Sequence, residues 1–218
     1  MKTITKSKWL IALLFISVST QTILAQTKAD IFDENVPITW LGVDYSLTRF
    51  IGSATISNAS APISNDEFRD TYVSAWNYLF INEEKKYDVA KAVHRESVKY
   101  AIDVTLKSNK NLTQKNFFTN DPKNFKTINA DTIANAVKNY NFLGNEGIGM
   151  MFFVEGMSKG EESEGIWVTF VDMKTNTVLF TIYKTGKPGG FGFRNYWAKP
   201  LYTVLKDMDD DFKSWNKK

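Results

Sequence analysis

Residues 147–160 read GIGMMFFVEGMSKG, residues 164–186 read EGIWVTFVDMKTNTVLFTIYKTG, and residues 187–200 read KPGGFGFRNYWAKP. Met150 to Val154 is an apolar run of strand length, too short for an ordinary helix. From Ile166 to Asp172, Trp167, Thr169 and Val171 oppose Ile166, Val168 and Phe170. Apolar groups thus fall on both faces, the mark of a strand covered on two sides. Val178 to Tyr183 is again β-branched and aromatic. Between these runs Lys174–Thr177 supplies turn chemistry, because asparagine tolerates the left-handed conformation and its side chain caps a turn. The stretch predicts three successive strands, the last two an antiparallel hairpin, and then a glycine-rich crossing into a final helix.

Upstream, Ile38–Ile51 (ITWLGVDYSLTRFI) predicts a first strand with Leu41, Val43, Tyr45 and Leu47 on one face, and Gly42 and Gly52 as bulge or end points. Asn58–Ile63 reads as a loop. Ser64 with Glu67 forms a capping box, and Phe68, Tyr72, Trp76, Leu79 and Phe80 follow at helical spacing. Tyr87–Arg95 predicts a shorter helix. Val98, Tyr100, Ile102, Val104 and Leu106 alternate with Lys99, Ala101, Asp103, Thr105 and Lys107, which predicts a half-buried strand. Asn109–Lys126 is a polar connection anchored by Phe117 and Phe118. Asn129 or Asp131 caps a helix reaching about Tyr140, with Ile133, Ala134 and Val137 inward. Arg194–Trp215 is the last helix, striped by Leu201, Val204, Leu205, Met208 and Phe212, with Pro200 in its first turn or at a kink. The order β-α-(α)-β-α-β-β-β-α predicts an α/β (α+β) sandwich around a mixed sheet.

The chain has 218 residues, and its first 25 read as a cleaved signal peptide. Lys2, Lys6 and Lys8 precede an apolar core, Trp9–Val18, and a small residue, Ala25, stands before Gln26. That core falls short of the roughly 20 residues a membrane span needs. Residues 26–37 read as a flexible lead-in, and residues 38–218 as a single domain. The whole chain carries 27 Lys and Arg against 24 Asp and Glu; the signal holds three of the lysines and no acid, so the remainder is formally neutral. This argues against a nucleic-acid footprint. Without cysteine the chain forms no disulfide, uses no thiolate and carries no amino-terminal lipid, which predicts a soluble periplasmic or extracellular protein and not a lipoprotein.

Four stretches invite chemistry. Gly156–Gly160 matches G-x-S-x-G, but a nucleophile elbow needs a helix after it and here another strand follows. His94, the one histidine, has no nucleophile or carboxylate that the sequence places beside it, so no catalytic residue is assigned. Asp207, Asp209, Asp210 and Asp211 lack calcium-loop spacing and read as a solvated helix face. Neither metal nor cofactor is expected. The crossing is the remaining feature: Gly190, Phe191, Phe193, Arg194, Asn195, Tyr196 and Trp197 combine backbone freedom with the residue types that carry interface energy. They are the expected partner-binding residues, the competing reading being that the aromatic groups only fold the crossing onto the sheet.

VTFVDMKTNTVLF, a strand running into a turn and back with a helix after it, resembles the hairpin of the TolB amino-terminal, curli-secretion lipoprotein and penicillin-binding-protein activator group. The chain lacks the lipid-attachment cysteine common among that group's lipoproteins. The signal end LAQ, GIGMMFFVE and GFGFRNYWA resemble a family of uncharacterised exported proteins from Bacteroidetes, which implies export without implying an activity. The expectation is an exported, non-enzymatic domain that binds an envelope protein or glycan through the crossing. The alternative is a periplasmic small-molecule carrier or sensor whose cavity is lined by the aromatic stripe around Trp76.

Overall fold

A computed structural model describes residues 25–55 and 62–217. The signal expected over residues 1–25 lies, but for Ala25, outside the described residues, as does most of the loop expected at Asn58–Ile63.

The sheet is built on β5 (Ile148–Ser158), every residue of which is buried. This is the MMFFV run of the sequence, and its burial on both faces explains why it does not alternate. β6 (Ser163–Asp172) pairs antiparallel with β5, and β7 (Thr177–Gly186) pairs antiparallel with β6, so the expected hairpin is present. Asn176 takes φ +54 in its turn. On the other side of β5 run two short parallel strands in line, β1 (Ile38–Asp44) and β2 (Arg49–Ile51). Outside them, β3 (Lys99–Tyr100) pairs with β1 and β4 (Phe118–Thr119) with β2, both parallel. The result is a seven-stranded mixed sheet with helices on both faces, an α/β fold.

One face carries the larger core, under α3 (Ser74–Asn82), α4 (Val89–Ala92) and α7 (Phe193–Trp215). The other is covered by α5 (Asp103–Lys110) and α6 (Ala130–Lys138). α3 continues without a break from α2 (Asn65–Glu67) through a π-helical stretch, Phe68–Val73. Ser64 caps this rod by accepting from the Glu67 amide, and Asn129 caps α6 by accepting from that of Thr132.

Four expectations are corrected. The first strand is split, and Leu41 lies on the opposite face from Val43 and Tyr45. Leu41 is the extra residue of a bulge between Trp40 and Gly42 that moves the alternation by one position, and Gly42 turns through it at φ +98. The strand expected over 98–107 is two residues of β3 followed by α5. Ala101, Val104, Thr105 and Asn109 are buried at helical spacing, although alternation places Ala101 and Thr105 on the solvent face and Asn109 in the connection that follows. Ala134 is exposed, while Ile133, Ala136 and Val137 face inward. Pro200 lies well inside α7, beyond its first turn.

The lead-in is docked. α1 (Lys28–Ile31) starts with a Thr27–Asp30 capping box and puts Ile31 into the larger core. Arg95 holds it, donating from Nη2 to the Ile31 carbonyl at 2.8 Å and from Nε to that of Val36 at 2.9 Å.

Candidate functional site

The crossing from β7 to α7 is tied to the fold at several points. Gly186 lies so close under Pro200 that a Cβ would stand 2.5 Å from the proline Cα. Gly190 and Gly192 take φ +108 and +79, conformations that cost other residues strain, and Gly192 is the cap of α7. Pro200 has no N–H to give to the Tyr196 carbonyl one turn back. The Gly189 amide donates to that carbonyl instead, at 3.0 Å, tying the crossing to the helix. Trp76 fixes the first turn of α7 by donating from Nε1 to the Arg194 carbonyl at 2.8 Å.

This geometry divides the seven expected contact residues. Phe193 and Trp197 are 5% and 0% exposed, packed among Phe50, Tyr72 and Trp76 with ring centroids 4.7–6.1 Å apart. They anchor the crossing and have no surface to offer. Phe191 is 96% exposed, Gly190 and Asn195 are exposed, and Arg194 and Tyr196 are partly so. Arg194 reaches Glu83 Oε1 at 3.7 Å and Asn195 Oδ1 at 3.3 Å. Phe191 and Asn195 border a depression of about 540 Å³ between the end of α3 and the first turns of α7, with Glu83, Lys86, Lys199 and Tyr202 on its walls. Lys86 and Tyr202 also belong to a second depression, about 220 Å³, lined by Lys85, Lys91, Lys206 and Asp209. The two depressions share Lys86 and Tyr202 and lie in succession along the outer side of α7, and are together called its groove.

The aromatic stripe of the Trp76 helix is filled by protein. Phe68, Trp76, Leu79 and Phe80 are buried, and Trp76 stacks on Tyr45 with centroids 5.5 Å apart. Ser158 of the G-x-S-x-G match is the buried last residue of β5 and accepts from the Glu161 amide in the hairpin turn. His94 follows α4 at φ +50, with Nε2 2.9 Å from the Asp209 carbonyl and its ring against Phe212. Asp209 pairs with Lys91 at 3.0 Å and Asp211 with Lys184 at 2.5 Å, so two of the four acids of the run are engaged in ion pairs. Among the described residues no group of three or more acids and histidines converges as a metal site would require.

Several buried polar groups escaped the reading of the sequence. Asp44, at the end of β1, accepts from Tyr140 Oη at 2.6 Å and Ser108 Oγ at 3.0 Å, which pins α5 and the exit of α6 to the sheet. Burial, and then the Asp44 charge, push the Tyr140 hydroxyl well above the usual phenol range. Beyond the β1–β3 pairing the edge of β1 is closed by side chains. Asn77 and Asn109 bond both the amide side and the carbonyl side of Val43–Tyr45, and Thr105 donates to the Leu41 carbonyl at 2.7 Å. Glu155 accepts from Trp167 Nε1 and from the amides of Thr127 and Ile128, holding the entry to α6. A charged residue inside an apolar strand run was the available signal for Glu155 and for Glu164. Lys115 is pushed down to about 8, chiefly by burial and then by Arg49.

The carboxylates of Asp44 and Glu155 are thus occupied by partners from other elements, and none of these groups lines the groove along α7. Compared with known protein families and with curated proteins, the chain matches no family model and no curated sequence.

Proposed function

We propose that the chain is an exported binding domain without catalytic chemistry, which captures an envelope protein or glycan through the crossing and the groove beside it. One observation carries this reading: a phenyl ring 96% exposed at the tip of a segment that the fold otherwise locks in place. An exposed loop phenylalanine on a mobile tail would need no explanation. One held between two left-handed glycines and a backbone tie costs solvation without contributing to the core. Arg194 beside it adds a forked donor suited to a carboxylate or phosphate. Export is supported by the signal-like residues 1–25 and by the resemblance to exported families. Among the described residues no helix is long and apolar enough to cross a membrane.

The test compares the purified chain with a Phe191→Ser/Arg194→Ala variant on a bacterial envelope fraction. The variant should keep its thermal midpoint within about 3 °C, since an exposed ion pair contributes at most about 1 kcal/mol, worth roughly 2–4 °C at this size. It should also lose retention on the envelope fraction. Equal retention of both proteins overturns the role of the crossing, and no retention of the wild type overturns envelope binding. A midpoint drop of about 10 °C or more shows that these groups are structural.

A further inference from the structure

We infer that the groove along α7 takes an acidic polypeptide segment of a partner, with Phe191 covering an apolar side chain at one end and lysines meeting carboxylates along the rest. This deepens the binding reading above and rests on it.

The argument is charge complementarity on a defined track. The chain beyond its first 25 residues is formally neutral, yet five lysines against three acids line the groove. Two of the five are engaged locally: Lys91 with Asp209 at 3.0 Å, and Lys86 with Glu83 at 3.6 Å, its ammonium also over the rings of Tyr87 and Tyr202. Lys85, Lys199 and Lys206 have no acidic partner among the described residues. Cations gathered into a concave surface raise the local potential more than the same charges spread over a sphere.

The spacing sets the occupant's length. Asn195, Lys199, Tyr202, Lys206 and Asp209 recur at three- and four-residue steps, one face of a helix. At about 1.5 Å per residue that face is about 21 Å long, the reach of six or seven extended residues at about 3.3 Å each. A polyanionic glycan could meet the lysines. An acidic polypeptide brings carboxylates and an apolar side chain on one backbone, which suits lysines along the groove and a phenyl ring at one end.

The probe is a fluorescein-labelled eight-residue peptide of glutamates with one phenylalanine near its terminus, read by anisotropy at low salt. Its controls are the same peptide with glutamines and a polyuronate of similar length. The expected result is saturable binding of the acidic peptide, weakened about tenfold or more by 0.5 M salt, where the Debye length falls to only a few ångström. It should also be weakened about tenfold or more by Lys199→Glu/Lys206→Glu. Lys199→Ala/Lys206→Ala should give a smaller loss in the same direction and guards against a folding defect in the reversed variant.

If Phe191→Ser weakens binding and the charge variants do not, the acidic-ligand inference falls while the crossing stands as a contact. If the charge variants weaken it and Phe191→Ser does not, the groove stands and the crossing reading falls. Binding of the polyuronate alone, of the glutamine peptide equally well, or of no probe overturns the inference.

Discussion

Glu164 sits on β6 between Met157 of β5 and Gly186 of β7, fully buried, and neither carboxylate oxygen has a hydrogen-bond partner among the described residues. Burial raises its pKa well above the ordinary 4.5. The folded chain therefore keeps this proton at pH values where the unfolded chain has lost it. Unfolding then releases a proton, and stability falls as pH rises above about 4.5. Replacement by leucine removes the ionisable group from an apolar site, so Glu164→Leu should raise the midpoint at pH 7 by several degrees and flatten its decline between pH 5 and pH 8. The comparison ends at pH 8 because Lys115, lowered to about 8, contributes in the opposite direction above it. Calorimetric midpoints across this window check the prediction, and parallel curves for the two proteins would refute it. The same scale shows what residue identity leaves open: Phe191 and Phe193 stand two positions apart in one glycine-rich phrase, yet one is 96% and the other 5% exposed.

At the scale of elements, most of the pattern was legible. The three strands of the carboxyl-terminal half are long apolar runs bounded by turn residues, and the helices that begin after Ser64 and Asn129 announce their caps. The stretch 98–107 was misread because alternation and helical spacing coincide when small residues count as polar. Ala101, Thr105 and Asn109 belong to the buried face only because β1 has an open edge whose backbone groups they complete. Pro200 also depends on a partner outside its helix. An interior proline ordinarily costs about 3 kcal/mol, so Pro→Ala should stabilise. Here the carbonyl it frees is already used by Gly189, and its ring covers Gly186. Pro200→Ala should therefore change stability by less than about 1 kcal/mol, the net worth of one hydrogen bond. It should also speed hydrogen exchange at the Gly189 amide, which then competes for its acceptor. A gain near 3 kcal/mol with unchanged exchange would contradict this account.

For the whole molecule, the amino-terminal lead-in belongs to the core. Ile31 is fully buried, and Arg95 spends two donors on carbonyls of residues 31–36. A chain starting at Pro37 loses the burial of one isoleucine, about 1.5–3 kcal/mol, and leaves a half-buried guanidinium without those acceptors, about 1–3 kcal/mol more. Its midpoint should fall by about 10 °C in differential scanning calorimetry, at roughly 2–4 °C per kcal/mol. An unchanged midpoint would show that the lead-in is an appendage. The groove belongs to this scale too. Its walls come from residues 79–92 and 189–209, about a hundred positions apart, so no local window contains it.

The sequence by itself determined the fold class, the order of the longer elements, the hairpin, the cap at Ser64 and the exclusion of cysteine chemistry, because these follow from short-range periodicity, turn residues and composition. Tertiary structure alone decided which aromatic groups of the crossing are core and which are surface, where the bulge at Leu41 turns β1, and which helices supply the polar groups that close its edge. It also decided that lysines distant along the chain share one groove. The physical reason is common to all of these. Burial and charge proximity depend on what packs opposite a residue, and that neighbour lies far away in the chain.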